Sequence, residues 1–141
     1  RYVYFFFTDR AQSFLDLYDT SGDAESLLKT LADWRADLVV LANGLFTPTA
    51  EGVGQTLLAE GSFALVYFDE NGAVFCKRGP ACRGQRPFTA INPWTIDNDW
   101  PRSALAQHDR KSLADELERL KRLAPEHTLT KALEKAMAVN R

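Results

Sequence analysis

Apolar and polar positions follow two different periods in the first third of the chain. Mostly apolar runs at Tyr2–Phe7 and Asp37–Ala42 are typical of strands that are buried on both faces. Between these runs, apolar residues recur every three or four positions, in one stretch after Asp9 and in a second stretch after Asp23. Both acidic residues are suitable N-caps, so the pattern predicts two helices between two strands.

A third helix and a hairpin follow. Thr47 and Pro48 combine an N-cap with proline at the first helical position, and Gly61 is a suitable C-cap. The next two apolar runs, at Ser62–Phe68 and Ala73–Cys76, are separated by the sequence Asp-Glu-Asn-Gly. Because Asn-Gly between two apolar runs favours a tight turn, these two runs predict a β-hairpin.

The rest of the chain combines an irregular segment with two helices. Residues 79–109 contain four prolines and show no sustained period, which predicts a long loop. A capping-box-like start at Ser112 predicts a helix that Pro125 ends, and Thr128 can cap a last helix. The order β-α-α-β-α-β-β, followed by two helices, predicts a single α/β domain over residues 1–141 with a mixed sheet of about four strands. We expect the first two strands to be parallel, with a right-handed crossover.

Composition argues against two classes of function. The 141 residues are 45% apolar and carry a net charge of −2, which argues against a broad nucleic-acid-binding surface. The longest apolar run, YVYFFF, is far too short to span a membrane. Because the chain begins at Arg1 without a methionine, we expect that an upstream segment was removed. Periplasmic, secreted and cytoplasmic locations stay open, and the cell envelope is slightly favoured.

Two stretches resemble the thioredoxin-like fold. Residues 2–14, YVYFFFTDRAQSF, stand where those proteins have a strand and then a Cys-x-x-Cys motif, and residues 63–79, FALVYFDENGAVFCKRG, look like the hairpin after their cis-proline. The resemblance covers residues 2–79 and implies a thioredoxin-like or other Rossmannoid fold. However, Thr8–Phe14 has no cysteine, and Ser62 and Phe63 stand where those proteins have a proline just before the third strand, so the family's redox chemistry is not carried over to this chain.

Cys76 and Cys82 are a candidate redox or disulfide pair. The nearby cations Lys77, Arg78 and Arg83 would favour the thiolate, which fits a thiol–disulfide redox or redox-sensing protein. The alternative is a structural disulfide, or one buried cysteine with a second, incidental one. Two cysteines and two distant histidines do not make a zinc-ligand pattern, so we predict no metal and no cofactor.

The long loop carries the residue types that are enriched at protein interfaces, arginine and tryptophan. Because recognition residues often lie on loops above a rigid core, we predict a non-catalytic protein–protein interaction module that binds its partner through residues 79–109. An inhibitor or immunity protein, or an accessory of a bacterial envelope or transfer apparatus, fits this description. The alternative is a solvated loop whose aromatic side chains fold back onto the core. The candidate binding residues are Arg78, Arg83, Arg86, Phe88, Trp94 and Trp100.

A small nucleotide-processing enzyme is the third hypothesis. Glu51 and the Gly-Val-Gly sequence at residues 52–54 weakly resemble a segment of nucleoside deoxyribosyltransferase-type enzymes, although Thr56 stands where their nucleophilic glutamate would be. A lone G-x-G more often serves the local backbone structure than a nucleotide site. His108 and His127 are isolated, so we predict no catalytic residues, and the balance favours a protein that is not an enzyme.

Overall fold

The computed structural model of the protein describes residues 2–3, 24–42, 44–96 and 108–139. The described part contains four strands, β1 (Tyr2–Val3), β2 (Leu38–Leu41), β3 (Phe63–Asp69) and β4 (Gly72–Lys77). It also contains four α-helices, α1 (Ala24–Asp33), α2 (Pro48–Glu60), α3 (Arg110–Leu123) and α4 (Thr128–Val139). Two single 3₁₀ turns, Pro80–Cys82 and Pro93–Thr95, lie in the predicted long loop.

The sheet is built around β4, which pairs antiparallel with β2 on one side and with β3 on the other. The two residues of β1 lie parallel beside Leu38 and Val39, so the strand order is β1-β2-β4-β3. The mixed α/β architecture and the antiparallel hairpin are therefore confirmed. The remainder of the predicted strand Tyr2–Phe7 and the helix predicted after Asp9 lie outside the described residues.

The Asp-Glu-Asn-Gly sequence, from which the hairpin was predicted, also stabilises its turn. Asp69 Oδ1 accepts hydrogen bonds from the backbone N–H groups of Asn71, at 2.7 Å, and Gly72, at 3.1 Å. A Cβ at Gly72 would overlap the carbonyl oxygen of Leu41, so only glycine lets β4 approach β2 this closely. A register shift in β3 between Leu65 and Tyr67 marks an irregularity of the ladder next to this turn.

Helix ends follow the sequence signals at α2 and depart from them at α3. The Thr47 side chain accepts a hydrogen bond from Ala50 N, and Gly61 closes α2 in the left-handed conformation, with φ of 84°. The predicted start of α3 at Ser112 is wrong. The helix begins at Arg110, because the Asp109 carboxylate accepts a hydrogen bond from Ser112 N and caps it. The hydrogen bonds that Asp109 accepts from the Ser112 hydroxyl and from the Ser112 backbone N–H lower the pKa of Asp109.

The apolar side chains of the described residues form two clusters on opposite faces of the sheet. The larger cluster buries one sheet face, together with Phe88, Ala90 and Ile91 from the long loop and residues from all four helices. The smaller cluster contains Ala64, Val66 and Cys76, with Leu38, Val74 and Cys82 packed against it only partly buried. One face of the sheet is thus a full core, and the other carries a shallow apolar layer.

Candidate functional site

A disulfide closes the start of the long loop. Cys76, near the end of β4, is bonded to Cys82, six positions later, with 5.4 Å between their Cα atoms. Cys76 is 1% exposed, whereas Cys82 is half-buried. A backbone hydrogen bond of 2.8 Å from Arg78 N to Ser62 O continues the β3–β4 pairing into the loop. The first residues after β4 are therefore held against the end of the sheet.

The cations of this segment all lie on its outside. Lys77, Arg78, Arg83 and Arg86 are exposed. The Arg78 side chain folds back, and its Nε donates a 2.9 Å hydrogen bond to Gly61 O at the end of α2. We call residues 77–86 the basic segment.

The expectation that Phe88 is presented to a partner is wrong, because its side chain belongs to the core. Phe88 is 3% exposed, and its ring meets the edge of Phe68 at 4.9 Å between centroids. Its backbone N–H donates to Leu65 O at 2.7 Å, so the chain runs along the outer side of β3. The guanidinium carbon of Arg119 lies 4.2 Å from the ring centroid, in a cation–π contact. Phe88 therefore anchors the distal end of the basic segment.

Trp94 also packs inward. Its Nε1 donates a 2.8 Å hydrogen bond to Leu45 O, and its ring is parallel to that of Phe75 within 7°, with centroids 6.1 Å apart. The expectation of an outward-facing Trp94 anchor is therefore wrong, because the indole satisfies its N–H and covers apolar surface inside the domain. Trp100, the third predicted aromatic anchor, lies outside the described residues.

The Trp94 indole also explains one glycine of α2, Gly54. A Cβ at Gly54 would overlap the six-membered ring of Trp94, so the helix must carry glycine where the indole lies on it. The space beside Gly54 is filled by a side chain of the protein itself. This packing accounts for Gly54 without the nucleotide pocket of the third hypothesis.

A glutamate that sequence reasoning missed holds the loop between these two aromatic residues. Oε1 of Glu116, on α3, accepts hydrogen bonds from Thr89 N and Thr89 Oγ1, at 2.7 and 2.9 Å. Oε2 accepts from Ala90 N and Ile91 N, at 3.0 and 2.9 Å. Three successive backbone N–H groups are thus satisfied by one carboxylate. No short-range signal reveals this contact, because the partners are 25 to 27 residues apart.

A second group of polar residues lies where the hairpin turn meets the start of α4. Tyr67 Oη donates a 2.6 Å hydrogen bond to Asp69 Oδ2, and His127 Nε2 lies 3.4 Å from the same oxygen. His127 Nδ1 contacts Glu70 Oε2, and Glu70 Oε1 accepts from Leu129 N at 3.2 Å. These contacts join the hairpin turn to the start of α4.

The titration of this group reflects its contacts. Burial and the hydrogen bond to Asp69 raise the pKa of Tyr67 to about 12. Partial burial acts to raise the pKa of Glu70, but hydrogen bonds from backbone N–H groups, including that of Leu129, and the nearby His127 outweigh it, so the pKa of Glu70 is lowered. The phenol thus stays neutral and the carboxylate stays charged at neutral pH, which is the state that the observed hydrogen bonds require.

A groove opens on the sheet face that carries the smaller cluster. It has a volume of about 460 Å³ and is lined by side chains of β2, β3 and β4, by the end of the basic segment and by α3. The apolar side chains that the sheet contributes to this lining are called its floor, and Arg86 and Arg119 line the groove as well. Burial, together with the neighbouring Arg86 charge, lowers the pKa of Arg119, while Glu116 opposes this effect. The groove therefore joins an apolar surface to two guanidinium groups.

Comparison with known proteins adds no relative to this picture: no family model matches the chain, and no curated protein or solved structure matches it. Within residues 24–42, 44–96 and 108–139, no three His, Cys, Asp or Glu side chains are grouped so that they could hold a metal ion. Among the helices that the structure describes, none has the length and apolar character needed to cross a bilayer.

Proposed function

We propose that the chain is a non-catalytic protein-binding module whose recognition surface is the basic segment, residues 77–86. The observation that carries the proposal is that four exposed cations lie on a segment fixed at both ends, by the disulfide at Cys76 and by the buried Phe88 ring. A segment that is already ordered loses little entropy when it binds, so its charges can contribute to affinity. Arginine is also among the residue types most enriched in binding hot spots.

The charge of the segment selects an acidic partner surface. The chain as a whole has a net charge of −2, so the four cations are a local feature against an overall acidic protein. Complementary charge speeds association and excludes partners of the wrong sign. The disulfide favours an oxidising compartment, such as the periplasm or the cell exterior. An inhibitor or immunity protein, or an accessory of a bacterial envelope or transfer apparatus, on a degenerate thioredoxin-like scaffold with a four-stranded sheet fits these properties.

Thiol–disulfide exchange is the second candidate, because one cysteine of the bond is only half-buried. Cys82 is half-buried and is followed by the exposed Arg83, whose charge would stabilise a thiolate. A redox role requires a reduction potential near those of exchange proteins, whereas structural disulfides lie below about −300 mV. Equilibration with glutathione buffers, followed by thiol alkylation and mass spectrometry, measures this potential. A value below that limit removes the redox candidate and leaves the binding proposal intact.

The binding proposal is tested by quantitative affinity capture. Wild-type protein, the double variant R83E/R86E and the control K29E/K135E are immobilised and exposed to an extract of the source organism. The control reverses two exposed cations outside the basic segment, on α1 and α4. We expect one protein to be retained by the wild type and the control and lost by R83E/R86E. The purified partner should then show a drop in affinity of about a hundredfold in calorimetry.

The outcome is interpretable only if the variants remain folded, which circular dichroism melting checks. If R83E/R86E retains the same proteins as the wild type at an unchanged melting temperature, the basic segment is not the recognition surface and the proposal is refuted.

A further inference from the structure

We propose that the groove beside the basic segment binds an aliphatic side chain of the partner, next to a carboxylate that pairs with Arg86. This inference rests on the proposed function and specifies the chemistry of the partner: an acidic segment with leucine-like residues. The occupant is a segment of another protein, because the groove and the basic segment form one continuous surface through Gly84, Gln85 and Arg86.

The apolar side chains in the floor of the groove favour an apolar group. Leu38 and Val74 are only partly buried, so the described side chains leave part of the apolar surface of the sheet uncovered. Leu123, in the last turn of α3, borders the groove and is 44% exposed. A volume of about 460 Å³ lies in the range typical of ligand sites, and it accommodates one or two aliphatic side chains. Burying this surface is favourable at roughly 25 cal/mol per Å².

The two arginines that line the groove favour an anionic group. Arg119 is held in place, because its Nη2 donates a 2.7 Å hydrogen bond to Val66 O and its guanidinium lies over the Phe88 ring. Arg86 is exposed and close enough to influence the titration of Arg119. The carboxylate that acts on Arg119 is Glu116, and its oxygens accept hydrogen bonds from the backbone of residues 89–91. A partner carboxylate would complement these two guanidinium groups.

Neither half of the groove favours a simpler ligand. A free inorganic anion would pair with Arg86 but leave the apolar floor exposed. A purely apolar segment would cover the floor and displace water from the two guanidinium groups without replacing their hydrogen bonds, which costs binding free energy. A chain segment that combines both groups satisfies both parts of the site.

Fluorescence anisotropy with synthetic peptides tests this inference. The probes are three labelled hexapeptides, DELLDE, DESSDE and KRLLKR, titrated with the disulfide-bonded protein at about 0.15 M salt. We expect DELLDE to bind about tenfold more tightly than DESSDE, because serine cannot use the apolar floor, and KRLLKR not to bind. Arg86→Glu and Leu123→Asp should each weaken DELLDE binding about tenfold. Lys29→Glu, on helix α1, which contributes no residue to the groove lining, should change it less than about twofold.

Each alternative outcome overturns the groove inference in a recognisable way. Equal affinity of DELLDE and DESSDE means that charge alone drives binding, so the basic segment acts without the groove and the proposed function stands. No binding of either acidic peptide, with partner capture still lost in R83E/R86E, has the same consequence. A dimer in sedimentation velocity that Leu123→Asp converts to a monomer identifies a second copy of the chain as the occupant. If hydrogen exchange shows that another part of the same chain already covers the groove, the groove inference is also overturned. Loss of both the capture difference and the peptide binding refutes the two proposals together.

Discussion

Glu116 gives the sharpest test of how the loop is held against the domain. Its carboxylate is the acceptor for the backbone N–H groups of Thr89, Ala90 and Ile91 and for the Thr89 hydroxyl, at distances between 2.7 and 3.1 Å. Ala90 and Ile91 are 5% and 1% exposed, so their N–H groups have little access to water. Replacing Glu116 with alanine removes the acceptor and leaves buried donors without a partner.

The expected loss of stability follows from these contacts. A hydrogen bond to a charged group contributes about 1.5–3 kcal/mol, and a buried donor left unsatisfied costs about 1–3 kcal/mol. Water can reach Thr89, which is exposed, so we count mainly the two buried groups. We expect Glu116→Ala to lower the free energy of unfolding by about 2–4 kcal/mol. Glu116→Gln keeps one acceptor oxygen and should lose about half as much.

Urea denaturation followed by tryptophan fluorescence measures this difference. The control is Glu118→Ala on the same helix, whose carboxylate only forms an exposed ion pair with Lys121 and should contribute less than about 1 kcal/mol. Hydrogen exchange should also become faster at the amides of Ala90 and Ile91 in Glu116→Ala. If Glu116→Ala and Glu118→Ala have the same unfolding free energy within about 0.5 kcal/mol, the carboxylate does not hold the loop and this reasoning is refuted.

Three further changes test other contacts. Gly54→Ala should lower the free energy of unfolding by about 1–3 kcal/mol in a urea titration, because the added methyl group overlaps the Trp94 ring. The control Gln55→Ala changes an exposed residue of the same helix and should be nearly neutral. Burial and the hydrogen bond to Asp69 raise the pKa of Tyr67 from 10.0 to about 12. Because the folded pKa is the higher one, the stability that this shift contributes is complete below pH 10 and lost as the pH rises towards 12. Tyr67→Phe should remove this pH dependence of the melting temperature between pH 10.0 and about 12, and an unchanged slope in that range would contradict the assignment. Replacing both cysteines with alanine should cost about 2 kcal/mol in thermal unfolding, as the closure of a short loop predicts, and no difference from the wild type would show that the bond constrains nothing.

Local sequence signals predicted the elements that are stabilised by local contacts. Asn71 and Gly72 predicted the hairpin because the turn is satisfied within four residues by Asp69. Thr47 and Gly61 predicted the ends of α2 for the same reason. The start of α3 was misplaced by two residues, because two acceptors stood close together and the sequence does not show which of them caps the helix.

The placement of the loop could not be predicted, because it depends on contacts between distant residues. Trp94 donates its hydrogen bond across 49 positions, to Leu45, and Glu116 accepts hydrogen bonds from residues 25 to 27 positions earlier. The absence of a period in residues 79–109 indicates irregular structure, and the described residues 79–96 contain two short 3₁₀ turns. Phe88 and Trp94 fold back onto the core, which is the alternative to the outward-facing anchors. Aromatic residues in an irregular segment carry enough apolar surface to anchor it to the core.

Because Phe88 and Trp94 pack inward, the proposed binding by the basic segment would depend on its cations and not on aromatic contacts with the partner. At physiological salt the repulsion between exposed cations acts only at short range, because charges are screened beyond about 8 Å. If the backbone beneath these side chains is already ordered, binding costs little conformational entropy. The cations can then contribute to affinity without a neighbouring aromatic surface. The disulfide fixes one end of the segment, Phe88 fixes the other, and Glu116 fixes the residues that follow. Under the proposed function, Phe88 would contribute to recognition indirectly, by ordering the basic segment that carries the exposed cations.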